Sequence, residues 1–572
     1  MSELDRTVTN DISIEAPWSL IETFATQPRE KPDDANRGAE IIAERLRGLG
    51  VPVTVHEPDL YLSLPIHAEV RAGGAVFAAK PPAFCLSAPD GVAAPAVYVP
   101  AGAVGNPLDI AAASVADPDR YDGRIVVTEG FALPMVVAAL ETAGAAGVIA
   151  VNPGARSHWG TVSTIWGTPG LDDLARLPKI PSAAVNHADG QALIALAKEG
   201  ASVTVVTRLD TGWAGAKIPE VRIPGTEQSD QFVLLHGHYD SWDVGVGDNG
   251  TGNACMLEVA RVLWAHREKL NRSVRMAWWP GHSTGRYGGS AWFADTFAHD
   301  LADNCVIQMN CDSPGCRWAT SYRGITMMAE TADAVKHVVR TVTGQEAEAK
   351  RPQRNSDYTF NNIGISSAFM ASSMMPPEAL EEHGYYVVGG CGGNIAWHTE
   401  DDTLEIADRD VLLTDIRLYT TAVLHFANAA ILPFDWRAAC ADFRATIERY
   451  QQAAGDRFDL APSRRAVDAL DDDLAAFHGR VDAGAIDATT ANAVIRDLAR
   501  VLVPINYTRR PRFLHDPALN VPPLPALAVA ADLDRLDAGT IGFATTQLMR
   551  GQNRVVAAMR EAARIVRRAL DR

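Results

Sequence analysis

Imidazole and carboxylate side chains recur in this sequence just after short apolar runs. FVLL is followed by HGHYDSWDVGVGD, which carries His238, Asp240 and Asp248. RMAWW leads to PGHS, with His282 and Ser283, and VIQMN leads to CD, with Asp312. A fourth group, AWHTEDDT with His398, follows the glycine-rich GGCGGN. Imidazole nitrogen and carboxylate oxygen bind Zn2+ at about 2.0–2.2 Å, so such a set on converging loops has the composition of a zinc-type site. Asp240, two residues after His238, is placed to hold the other ring nitrogen of that histidine. Asp248 stands before a helical pattern, where it would bridge two metals or simply cap the helix. Alone, each residue reads as a cap or a surface group; together they point to metal chemistry.

The elements that would position them follow from periodicity. From residue 231 apolar strand-like runs alternate with amphipathic helical segments: QFVLLHGHYD and NACMLEVARVLWAH, SVRMAWWPGH and SAWFADTFAH, NCVIQMNCD, ADAVKHVVRTV, GISSAFMAS. This rhythm predicts an α/β layer with a mostly parallel sheet. Ligands bind such sheets beyond the carboxyl ends of the strands, where the histidines and aspartates stand. Residues 36–49 have helical spacing, and VPVTVHE alternates like a strand. Residues 59–211 change character, with many short strand-like runs rich in Ala, Val, Gly and Pro and one helical patch, MVVAALETAGAAG. They read as a β-rich insert. From 433 to 572 the strands stop and helical segments follow, broken by the Pro-rich RRPRFLHDPALNVPPLPAL. The expected units are therefore 1–58 with 212–432, the insert 59–211, and a helical unit 433–572.

The 572 residues are too many for one core, and 47% apolar with 21% charged residues is ordinary for a soluble globular protein. The net charge of -18 argues against nucleic acid as a partner. No basic-then-apolar leader and no run of about 18 apolar residues is visible, so neither export nor a membrane span is expected. Seven scattered cysteines read as small buried hydrophobes, reduced in a cytoplasmic protein.

The pattern H-x-D-S-x6-D-N-x-[ST]-G at 238–252, the strand-end Asp312 and H-T-x-x-D-T at 398–403 resemble the co-catalytic zinc aminopeptidase family, and within it the glutamate carboxypeptidase and transferrin-receptor branch. The resemblance implies a peptidase-like α/β domain, a protease-associated insert with GAAGVIAVN as its core, and a C-terminal domain that makes a homodimer. It further implies one or two zinc ions or other divalent metals. His238 and Asp312 would hold one metal, His398 the other, and Asp248 would bridge them, with Asp240 behind His238. Trp242 and Trp397 would lie near the pocket and, with Ser356-Asp357, a pair also found in the family, would meet the substrate.

One stretch departs from the family. Where AWWPGHSTGRYGGS has His282-Ser283, the family carries Glu-Glu: the first a general base for the attacking water, the second a metal ligand. One residue is inserted before Gly289-Ser290. The second metal would then keep only His398 and Asp248 unless His282, Ser283, Glu400 or Asp401 joined it. Three readings stay open. His282 is a replacement ligand, or a replacement general base, or catalysis is lost. The expected reaction is metal-dependent hydrolysis of an amide in a small peptide or N-acyl substrate. The alternatives are a C–N lyase on the same scaffold and an inactive binding homologue. The arginines that the glutamate-specific members carry after their Gly-Ile strand are missing from GISSAFMASS. Arg286, Tyr287 and Arg317 remain as groups that could meet a substrate carboxylate.

Overall fold

The computed structural model describes residues 3–104, 107–369 and 373–571. The runs that read as buried strands form the centre of a six-stranded sheet. Its order is Thr54–His56, Ile218–Ile223, Arg272–Trp279, Gln228–His238, Cys305–Asn310 and Ser367–Ala368. The last four run parallel, and the first two pair antiparallel at one edge. Parallel strands covered on both faces need apolar residues at nearly every position, which is why VIQMN and RMAWW do not alternate. Register decides where the chemistry lies. His238 pairs with Trp279, and His236 with Asn310. The loops beginning at Tyr239, Pro280 and Cys311 therefore leave one end of the sheet side by side. GISSAFMASS contributes only the two-residue strand Ser367–Ala368, and its residues 370–372 lie outside the described residues.

Residues 59–215 form a second, seven-stranded sheet, joined to the first unit by two long antiparallel strands, Asp59–Ala72 and Ser202–Gly215. The segment expected to be β-rich also contains parallel strands at Ala88–Tyr98, Ile125–Glu129, Gly147–Val151 and Ser182–Val185. Parallel neighbours need crossovers, and the helix Pro134–Thr142 supplies one of them. The two faces of this sheet pack against separate apolar clusters, one around Ile149 and Val185, the other around Val126 and Leu140.

The C-terminal helices Trp436–Ala454, Ala461–Asp482, Ala488–Tyr507 and Ile541–Leu570 share one continuous apolar core with the first sheet. Arg500 locks them to it. Its guanidinium donates to the carbonyls of Ala302, Gly364 and Cys305, all at 2.6 Å. The seven cysteines are buried and unpaired. Among the described residues no helix is long and apolar enough to cross a membrane.

Candidate metal centre

His238, Asp248, Asp312 and His398 converge at the carboxyl end of the parallel strands. His238 Nε2 lies 2.9 Å from Asp248 Oδ1 and 3.7 Å from Asp312 Oδ1, and His398 Nε2 lies 3.2 Å from Asp248 Oδ2. Asp248 thus offers one oxygen to each histidine. Three features fix it there. The Asp402 carboxylate accepts the N–H groups of Gly247 and Asp248 at 2.6 and 2.9 Å. Gly245 turns the loop at φ 44°, where an added Cβ would stand 2.4 Å from the Asp248 carbonyl. The Asn249 side chain donates to the carbonyls of His238 and Cys311 and accepts from Ser313 N–H, tying three strand-end loops together.

Burial opposes charge on His238 and Asp248, yet their partners hold it there. For His238, burial works to lower the pKa, but Asp240, Asp248 and Asp312 raise it well above the usual imidazole range. Burial works to raise the pKa of Asp248, but His238 and His398 pull it well below the carboxylate range. Burial, helped by the Asp248 charge, lifts Asp402 to about 7. Ligand atoms around a tetrahedral zinc at about 2.05 Å lie about 3.3 Å apart. The separations here straddle that spacing, and the buried His238 Nε2 and Asp248 Oδ1, 2.9 Å apart, have no other hydrogen-bond partner. Donor set and spacing fit a divalent ion.

The imidazole orientations are set from behind. His238 Nδ1 is 2.9 Å from the backbone carbonyl of Asp240, and the Asp240 carboxylate stands farther off, at 3.5 Å. Asp240 thus stands behind His238 with its backbone oxygen as the nearer contact and its carboxylate as the farther one. Asp240 Oδ2 instead accepts His282 N–H at 2.9 Å and so fixes the neighbouring loop. His398 Nδ1 is held at 2.9 Å by the carbonyl of Trp159, a residue of the second sheet's unit. His158 braces the same junction, with its ring nitrogens on the Trp397 carbonyl and the Tyr386 hydroxyl. No sequence spacing signals a contact across 239 residues.

His282 stacks on His238, ring centroids 3.9 Å apart, and its ligand atom lies within 4.8 Å of those of His238 and Asp312. Its Nδ1 is 2.6 Å from Asp357 Oδ2. Asp357, expected to meet substrate, is fully buried instead; its other oxygen accepts the Ser290 hydroxyl. The His282 charge and hydrogen bond outweigh burial and hold its carboxyl below the usual range. An ionised Asp357 only accepts, so Nδ1 carries a hydrogen and, in the neutral ring, the lone pair is on Nε2.

A cavity of about 410 Å3 opens beside these groups, lined among others by Asp248, His282, Ser283, Asp312, Trp397 and His398. Arg286, Tyr287 and Ser356 line it too. Trp242 lies in an adjacent small recess with His238, stacked on Trp159. Arg317 does not reach the cavity. The chain turns through left-handed Ser313 and Gly315, and Arg317 lines a separate pocket beside Trp318 and Tyr385. Glu400 and Asp401 are also directed elsewhere, onto Lys80 and Arg156.

Residues 220–421 match Peptidase family M28. That stretch carries the metal-site loops and is similar to the co-catalytic zinc peptidases. It is 24% identical over 493 residues to a probable glutamate carboxypeptidase of Zea mays, a match covering 71% of this chain and 65% of the relative. It is 30% identical over 141 residues to leucine aminopeptidase 2 of Trichophyton equinum, covering 24% of this chain and 27% of that one. Among solved structures, a Peptidase M28 precursor of Shewanella amazonensis superposes with a TM-score of 0.58 at 16% identity, covering 75% of this chain and 97% of that one. A zinc aminopeptidase of Bacillus subtilis does so with a TM-score of 0.54 at 18% identity, covering 72% and 94%. These two share the zinc-peptidase fold with this chain.

Proposed function

We propose that this protein is a metal-dependent hydrolase that cleaves an amide bond in a small peptide or N-acyl substrate. His238, Asp248 and Asp312 would hold the principal ion, and His282 replaces the family's glutamate as general base. The His282–Asp357 pair carries this reading. An imidazole fixed by a buried carboxylate, with its free nitrogen on the cavity, is the arrangement that general-base catalysis requires. When bound, a divalent ion supplies Lewis-acid polarisation of the scissile carbonyl and acidifies the attacking water. His282 Nε2 accepts the proton of that water. The Asp357 carboxylate stabilises the imidazolium so formed, and Nε2 then delivers the proton to the departing amine. Asp240 holds the His282 backbone in place, and the Trp159 carbonyl orients His398. With Ser283 in the other glutamate's position, His398 and Asp248 Oδ2 make a two-ligand second place that would bind weakly.

The convergence of His282 with His238 and Asp312 favours a second reading, in which His282 is itself a ligand. A C–N lyase would use His282 to abstract a carbon-bound proton instead. Turnover of dipeptides and N-acyl amino acids in 18O-water tests hydrolysis. One 18O in the product carboxylate is expected, and its absence from a cleaved product would overturn the hydrolase. Activity undiminished after chelation would overturn the metal's role.

A further inference from the structure

The loop that carries His282-Ser283 also carries an arginine, Arg286. Residues 281–288 close on themselves, with Tyr287 N–H on the His282 carbonyl and Gly288 N–H on the Gly281 carbonyl. Arg286 and Tyr287 are left-handed, and Arg286 lines the cavity. Beside it stands Arg354, also on the cavity wall and fully buried. Their hydrogen bonds all go to uncharged oxygens. Arg286 donates to the Tyr287 hydroxyl and the Ala518 carbonyl, and Arg354 to the carbonyls of Asp516 and Pro517. Arg286 Nε and Arg354 Nη1 are buried with no partner. No carboxylate among the described residues pairs with either guanidinium. The nearest candidate, Asp516, is engaged by the N–H groups of Arg509 and Arg510 at 2.6 and 2.7 Å.

Two cations share this wall, and aromatic rings hold both. Arg354 lies 4.1 Å over Trp166, Trp166 packs 4.1 Å from Tyr287, and Arg286 lies 4.8 Å over Tyr287. Burial pushes Arg354 down to about 10 against the upward pull of the Asp516 charge, and the Arg286 charge adds to the fall. Unpartnered buried N–H groups on two mutually repelling cations are costly unless an anion completes them. Guanidinium forks match a carboxylate. The Tyr287 ring also meets His282 edge-on at 5.0 Å, so one ring separates Arg286 from the base and two separate Arg354 from it. Phe131, Leu133 and Met135 give another part of the cavity an apolar lining.

We propose that Arg286 and Arg354 form a receptor for a substrate carboxylate, so that the substrates are dipeptides or N-acyl amino acids with a free carboxylate and an apolar group that packs on Phe131, Leu133 and Met135. This rests on the amide-hydrolase reading and names its substrate class. The test is calorimetric binding of N-benzoylglycine and of its uncharged amide to the metal-loaded protein. The acid should bind at least about tenfold more tightly, the worth of a charge-assisted pair. In Arg286→Gln the preference should shrink to about twofold, with melting and metal content unchanged. Arg354→Lys keeps the charge but not the fork, and should weaken acid binding alone. Equal binding of acid and amide overturns the receptor. So does a preference that survives in both variants, because the carboxylate would then sit on the metal. Binding needs no turnover, so tight acid binding without hydrolysis would remove the hydrolase reading and leave the receptor standing.

Discussion

Asp357→Asn removes one charge and almost no volume, which makes it the most informative single change at the site. In the wild type the carboxylate oxygen lies 2.6 Å from His282 Nδ1. At that distance and an effective dielectric of about 20, a carboxylate and an imidazolium attract by about 6 kcal/mol. The asparagine carbonyl still accepts the Nδ1 hydrogen, a neutral bond worth about 1 kcal/mol. Relaxation of the Ser290 and Thr359 hydroxyls behind it recovers part of the remainder. A loss of about 3–4 kcal/mol in the transition state follows, on the order of several hundredfold in kcat. KM should stay near the wild-type value, because the Asp357 carboxylate does not line the cavity. The assay is initial-rate turnover of the best substrate from a panel of dipeptides and N-acyl amino acids, with metal content and melting followed in parallel. A kcat within threefold of wild type, in a variant that keeps its metal, would refute the argument that His282 works through Asp357.

Two further perturbations test the frame around the site. Burial lifts the Glu330 carboxyl to about 7 from its ordinary 4.5, against the Ser366 hydroxyl bond that lowers it. The folded state thus binds the proton more tightly than the unfolded chain, and this stabilisation is complete below pH 4.5 and lost as pH rises through 7. Glu330→Gln should therefore change stability little at pH 4.5 and raise it by up to about 3 kcal/mol above pH 8; equal denaturation shifts at both pH values would contradict this. Arg29 is fully buried and donates to the carbonyls of Tyr239, Gln27 and Gly245 at 2.7, 3.0 and 3.0 Å. Arg29→Met orphans them and should cost about 3–5 kcal/mol in chemical denaturation while loosening metal held through Asp248; a cost under about 1 kcal/mol would show that the loop stands without it.

The sequence makes the first sheet readable because its central strands are apolar at nearly every position and end abruptly in polar residues. That is how His238, Asp248 and Asp312 can be picked out before any coordinates, while His398 is signalled by the glycine-rich GGCGGN before it. Register then brings their loops together, which no local pattern encodes. Asp357 is visible only as half of a Ser-Asp pair, and its partner His282 lies 75 residues away. Arg354 carries no motif, and the Trp159 carbonyl that holds His398 is a backbone atom, to which residue identity gives no clue. Arg317 misleads for the opposite reason: it is near Asp312 in sequence, but two left-handed residues turn the chain between them.

Metal content per chain, by elemental analysis of the wild type and of His282→Ala, bears most directly on the exchange of a glutamate for a histidine base. The account predicts one firmly held ion in both proteins, with turnover lost only in the variant. An ion present in the wild type and missing from His282→Ala would make His282 a ligand and contradict its role as the base.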